Sequence, residues 1–259
     1  MLAGRRIEHL AVLEERLPQH VSPEALQDVV GRRVAHMRRR GKYLLFDLEP
    51  EGLMVLHLRM SGRLLWCEPG HAEPGPAHVR LRVTFEGGGR LLLVDPRRFA
   101  MLYWIPKGDE SQVPGVAAMG PEPLSRAFTG RVLQHILKGR RAAVKSVLLD
   151  QRRLAGVGNI YADEALFRAG IRPDRPAASL TAAEVARLHR ALRQVLQEGI
   201  RLGGVTVRSY TGIDGTAGRF QATLRVYGRR GQPCRRCGRP LEGLRIGGRS
   251  SVFCPHCQR

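Results

Sequence analysis

Four cysteines near the C-terminus constrain this chain more than any other feature. Cys234-x2-Cys237 is followed, after sixteen intervening residues, by Cys254-x2-Cys257. Each Cys-x-x-Cys turn places two thiolates on one ion, and two turns complete a closed tetrahedron that leaves no position for water. The pattern predicts one structural Zn2+ held by Cys234, Cys237, Cys254 and Cys257, in a module too small to fold on apolar burial alone. His256 lies between two of these ligands and offers a substitute nitrogen, but the paired spacing favours the cysteines. Two disulfides are the competing reading. They sit poorly with an odd fifth cysteine, Cys67, which reads as an ordinary buried thiol on a strand. Between the cysteine pairs, Gly243–Gly248 reads as a hairpin turn with Arg245 and Arg249 near its tip.

Charge narrows the partner. Lysine and arginine number 43 against 23 acids, a formal charge of +20. Such an excess opposes compaction, and a polyanion is the usual reason to keep it. Only Lys42, Lys107, Lys138 and Lys145 are lysines; arginine's planar fork suits phosphate. A GC-rich genome accounts for part of the arginine bias but not for the net charge. Gly31–Lys42 carries six basic residues and no acid, and Gly228–Arg259 carries eight arginines and one acid, Glu242. No window of 18 apolar residues exists, and no apolar run follows Arg5-Arg6, so neither a membrane span nor a secretory signal is expected. A cytoplasmic protein is expected, nucleoid-associated when bound to DNA.

The first part reads as strands at Tyr43–Leu48, Leu53–Arg59, Arg63–Cys67, Val79–Phe85, Arg90–Val94 and Met101–Ile105, with Gly-containing turns between them. Residues 106–123 read as a turn-rich link. Arg131–Leu137, Val144–Asp150 and Asn159–Ala169 read as helices. The longest helix opens with a capping box, Thr181 and Glu184, and places Val185, Leu188, Leu192, Val195, Leu196 and Ile200 in the core. A short strand is expected at Leu224–Tyr227. The fold class is therefore α+β: an antiparallel β-sandwich over 1–107, a helical DNA-binding domain over 119–222 and a zinc finger over 223–259.

Read in order, the motifs resemble one family, the formamidopyrimidine-DNA glycosylases, relatives of endonuclease VIII. The matching pieces are Arg40–Leu45, His57–Gly62, Asp95–Phe99, Gly156–Ala162, Val226–Arg229 and the cysteine module. Each alone is weak; their joint order is not. The resemblance implies a monomeric bifunctional glycosylase and abasic-site lyase acting on duplex DNA with an oxidised purine, such as 8-oxoguanine or a formamidopyrimidine, or an abasic site. It flips the base, attacks the sugar with an amine, and cuts the strand by β,δ-elimination. By the same resemblance, Met60, Arg97 and Phe99 fill the hole left by the flipped base. Asn159, in the turn of a helix–two-turns–helix motif, Arg140, Lys145 and His78 contact the backbone. Arg249 grips phosphates beside the lesion and assists the second elimination. The bland reading of Met60 and Phe99 is that they are core residues. Residues 205–220 have the length of a lid over an oxidised purine.

Two departures qualify the resemblance. Pro76 stands where the family often has a phosphate-contacting His, leaving His78 to do part of that work. The family's nucleophile is an N-terminal proline followed by a glutamate, and this sequence opens where relatives have already passed both. A start codon placed about twenty residues too far downstream is the favoured explanation; the alternative is a non-catalytic binder of damaged DNA. Lys42, in a basic run that favours a lowered pKa, is the candidate for a weak secondary nucleophile. A zinc-ribbon RNA-binding or transcription protein would require the Arg97, Phe99 and Asn159 matches to be accidental.

Overall fold

The computed structural model describes residues 2–13, 21–73, 77–205, 213 and 216–259. Its chain divides into two compact units, Met1–Ala117 with Val205–Gly218, and Ala118–Gly204 with Arg219–Arg259.

The first unit holds β1 (Ile7–Val12), α1 (Pro23–Gln27), β2 (Arg33–Arg40), β3 (Tyr43–Glu49), β4 (Leu53–His57), β5 (Arg63–Cys67), β6 (Val79–Phe85), β7 (Arg90–Val94), β8 (Met101–Ile105) and α2 (Pro114–Ala117). Two antiparallel four-stranded sheets form, in the orders β1-β6-β7-β5 and β2-β3-β4-β8. All six expected strands are present, with ends shifted by no more than two residues. Their shared core joins Phe46, Met54 and Trp104 of one sheet to Val83, Phe85 and Leu93 of the other, with Leu26 and Val29 beside them. Burying each such phenylalanine stabilises the unit by roughly 1.5–3 kcal/mol. Phe46, Met54 and Trp104 are cross-strand partners, as are Leu45, Val55 and Tyr103 on the opposite face. Both sets are buried, and burial on both faces is why Tyr43–Phe46 and Leu53–Leu56 read as unbroken apolar runs.

The basic run is itself a strand. In β2 only Val34 is fully buried, so no apolar alternation announces it. It pairs along β3, and Arg38 within it is held by Asp47 at 2.7 Å and Glu110 at 2.8 Å. The stretch expected as a plain link contains a short 3-10 turn at Glu110–Gln112 and α2. A Cβ on Gly115 would sit 2.0 Å from the Tyr43 hydroxyl, so only glycine allows that approach.

The second unit contains α3 (Gly130–Leu137), α4 (Val144–Leu149), α5 (Asn159–Ala169), α6 (Ala182–Arg201), and a hairpin of β9 (Glu242–Ile246) and β10 (Arg249–Phe253). The capping box of α6 forms as expected, with Thr181 and Glu184 satisfying each other's backbone N–H. Arg175 also grips Glu184 and holds its carboxyl at about 2. Val185, Leu188, Leu192 and Val195 are buried, but Ile200 is 71% exposed. The inward position of that turn belongs to Gly199, where a Cβ would meet the Tyr161 ring at 2.6 Å. Ile200 is thus rotated one residue off the apolar face. Leu224–Tyr227 forms no strand; its N–H groups have another partner, described below. Among the described residues no helix is long and apolar enough to cross a membrane.

Candidate nucleic-acid interface and metal centre

In the first unit, four of the expected DNA contacts gather around one buried carboxylate. Asp95 is fully buried. Its Oδ1 accepts from the Ser61 hydroxyl and from the Arg97 N–H at 3.3 Å, and its Oδ2 accepts from the Ala100 N–H at 2.7 Å. Its own N–H donates to the His78 carbonyl at 2.9 Å. Asp95 therefore ties together the segments that present Met60, His78, Arg97 and Phe99. Met60 is 69% and Phe99 49% exposed, which removes the core reading of both. Arg97 and His78 are exposed too. Among the described residues, those other than glycine with positive φ are Arg59, His78 and Arg98, and all lie in these segments. Strain of that kind persists only where surrounding bonds over-determine the backbone. We expect Asp95→Asn to cost about 1–3 kcal/mol in urea unfolding, because one amide face then confronts a donor it cannot accept from. An unchanged unfolding midpoint would refute the hub.

Lys42 sits exposed in the turn between β2 and β3. Nearby, His57 meets the Tyr43 ring edge-on at 4.6 Å and accepts the Arg59 N–H at 3.0 Å through Nδ1. Burial, followed by the charges of Arg59 and Lys42, lowers His57 to about 4. A neutral imidazole thus stands beside the lysine at physiological pH. Pro76 and most of the expected lid, 206–212 and 214–215, lie outside the described residues. Cys67 is a buried thiol, pushed upward by desolvation.

In the second unit, α5 supplies two adjacent buried acids. Glu164 accepts the backbone N–H groups of Arg225, Val226 and Tyr227 at 2.9–3.0 Å. This grip replaces the expected strand: three consecutive donors converge on one anion. Asp163 meets Lys145 Nζ at 2.6 Å and accepts from Ser251 Oγ at 2.7 Å and the Val252 N–H at 3.2 Å. Burial pushes the Asp163 carboxyl up and the Lys145 ammonium down, and their mutual attraction opposes both.

Lys145, expected as a backbone contact, lies inside the unit. Its side chain is 0% exposed, and its ammonium is committed to Asp163 and to the Ser250 carbonyl at 2.8 Å, so in this structure it serves as an internal strut. Asn159 opens α5 without a side-chain cap from Gly158. Its Nδ2 donates to the same Ser250 carbonyl at 3.1 Å. Arg140 is half-buried and donates to the Ile136 carbonyl at 2.7 Å. Arg249 is exposed at the start of β10, beyond a Gly247-Gly248 turn with positive φ. Asp95, Asp163 and Glu164 were missed as structural residues. Acids set among apolar neighbours were the available signal, since a buried charge needs partners.

The cysteine sulfurs of Cys234, Cys237, Cys254 and Cys257 all lie within 4.8 Å of one another. A tetrahedral ion with bonds of about 2.3 Å needs sulfur–sulfur edges of roughly 3.8 Å. The Cys237–Cys254 edge measures 3.5 Å, so the donor set fits such an ion. The Arg236 and Cys257 N–H groups point at Cys234 and Cys254 sulfur, each at 3.4 Å. Phe167, Val226, Leu241 and Val252 pack around the centre.

Comparison with known proteins agrees along the whole chain. Residues 1–102 match the formamidopyrimidine-DNA glycosylase N-terminal domain, 119–211 the formamidopyrimidine-DNA glycosylase H2TH domain, and 231–259 the zinc finger found in FPG and IleRS. The formamidopyrimidine-DNA glycosylase of Methylococcus capsulatus is 46% identical, covering 100% of this chain and 94% of its own. That of Moorella thermoacetica is 51% identical over 94% of this chain and 89% of its own. Among solved structures, MutM (Fpg) of Thermus thermophilus superposes with a TM-score of 0.88 at 44% identity, covering 99% of this chain and 92% of that one. Lactococcus lactis Fpg in complex with abasic-site DNA gives 0.90 at 30% identity, covering 100% and 94%.

Proposed function

The chain belongs to the formamidopyrimidine-DNA glycosylase family, and on that footing we propose that it is a base-excision repair glycosylase and abasic-site lyase for oxidised purines in duplex DNA. The carrying observation is the exposed set of Met60, Arg97 and Phe99 braced on Asp95. Two apolar side chains and a cation held out on tied loops have no structural use in water. They suit the gap left when a damaged base is flipped, at an unstacking cost of a few kcal/mol. His78, Arg140, Asn159 and Arg249 supply contacts to the phosphate backbone.

The chemistry we assign is attack of an amine on the sugar carbon of the flipped nucleotide. The base leaves as a Schiff base forms, and β- then δ-elimination cuts the strand. Lys42 assists at the sugar, and Arg249 at the second elimination. The ion at the four cysteines is Zn2+; it orders the hairpin that bears Arg249, and, being fully ligated, it takes no part in the reaction. The protein acts as a cytoplasmic monomer, and residues 1–107, 119–222 and 223–259 are its functional segments.

The deciding experiment incubates the chain, extended by the N-terminal proline and glutamate that the resemblance calls for, with an 8-oxoguanine duplex and follows base release, strand scission and borohydride trapping. A trapped adduct with scission is expected. Tight binding to an abasic-site analogue with no base release and no scission would replace this reading with a non-catalytic binder of damaged DNA. For the interface itself, Arg249→Ala is expected to weaken binding about 5–20-fold and to lower the slope of log affinity against log salt by about one. An unaltered slope would remove Arg249 from the phosphate contacts.

A further inference from the structure

The hairpin arginine is aimed by an acid that never reaches DNA. β10 is paired with β9 along one edge, and the glycine turn that precedes it gives the tip no rigidity of its own. What fixes the strand is its docking on α4 and α5. The Ser250 carbonyl receives Lys145 Nζ and Asn159 Nδ2. The Ser251 hydroxyl and the Val252 N–H go to the two oxygens of Asp163. Side chains two apart on a strand share a face, so Ser251, buried on Asp163, and Arg249, exposed, project to the same side of β10. Arg249 is close enough for its charge to act on Lys145.

We propose that Asp163 is a positioning residue for DNA binding, holding Ser251 and thereby setting where Arg249 presents its guanidinium. The inference rests on the reading of Arg249 as a phosphate contact. Lys145 serves the same device as the counter-charge that holds the Asp163 carboxyl in place at 2.6 Å.

A double-mutant cycle tests it, with the full chain titrated onto a duplex containing a tetrahydrofuran abasic-site analogue. Ser251→Ala and Asp163→Asn are each made alone and together with Arg249→Ala. Ser251→Ala leaves the ion pair intact, so it decides the matter even where Asp163→Asn fails to fold; metal content and thermal melting report folding. With Arg249 present, Ser251→Ala is expected to weaken binding about 3–10-fold, the worth of one buried hydrogen bond. In the Arg249→Ala background it is expected to change binding less than twofold. An equal loss in both backgrounds, or no loss with Arg249 present, overturns the positioning role and leaves the phosphate contact standing. Should Arg249→Ala by itself leave binding unchanged, the contact reading fails and the positioning role falls with it.

Discussion

Replacing Cys254 with serine is expected to unfold the hairpin over residues 231–259 and to abolish binding to damaged DNA. Cys254 is fully buried, and its sulfur is both a metal donor and part of the small core with Phe167, Leu241 and Val252. A structural zinc site contributes on the order of 10–16 kcal/mol in modules of this kind, so losing one of four thiolates removes most of what orders the segment. The same outcome should follow chelation, with readdition of Zn2+ restoring binding. Metal stoichiometry and amide exchange over β9 and β10 are the measurements. A variant that keeps its protected amides and its affinity would show that apolar packing suffices without the ion.

Glu164→Ala should be the most damaging substitution outside the cysteines. Three neighbouring N–H groups lose their acceptor at once, and at Val226 the bond is fully buried. Hydrogen bonds to a charged group are worth about 1.5–3 kcal/mol each, and some of that is recovered by water at the half-buried positions, so a net loss of about 3–5 kcal/mol is expected in urea or thermal unfolding. Glu164→Gln, which keeps one acceptor oxygen, should recover part of it. A loss below about 1 kcal/mol for the alanine variant would mean that residues 225–227 are held by something else.

Much of this was legible before any coordinates. The four cysteines declared the metal centre because ligand spacing is a local property, and the capping box fixed the start of α6 for the same reason. The strands β3 to β8 were legible from their apolar content; β1 was not. Nor was β2, because an edge strand with arginines on its exposed positions has nothing to alternate. The exposed state of Met60 and Phe99 followed only from the structure, since apolar residues give no sign of their direction. Lys145 shows the reverse case: the resemblance makes it a backbone contact, and only the fold reveals Asp163 opposite it. Sequence spacing cannot announce pairs separated by 62 or 88 residues, as Glu164–Val226 and Asp163–Ser251 are.

Those separations bear on how the protein is made. Helix α5 holds two adjacent acids whose partners, Lys145 apart, come from the last third of the second unit. A ribosome releases the chain from its N-terminal end, at about 5–20 residues per second. Until Ser251 clears the exit tunnel, Asp163 has Lys145 alone as a partner, and Glu164 has none before residues 225–227 emerge. The docking of α5 is therefore completed late, when the cysteine module arrives.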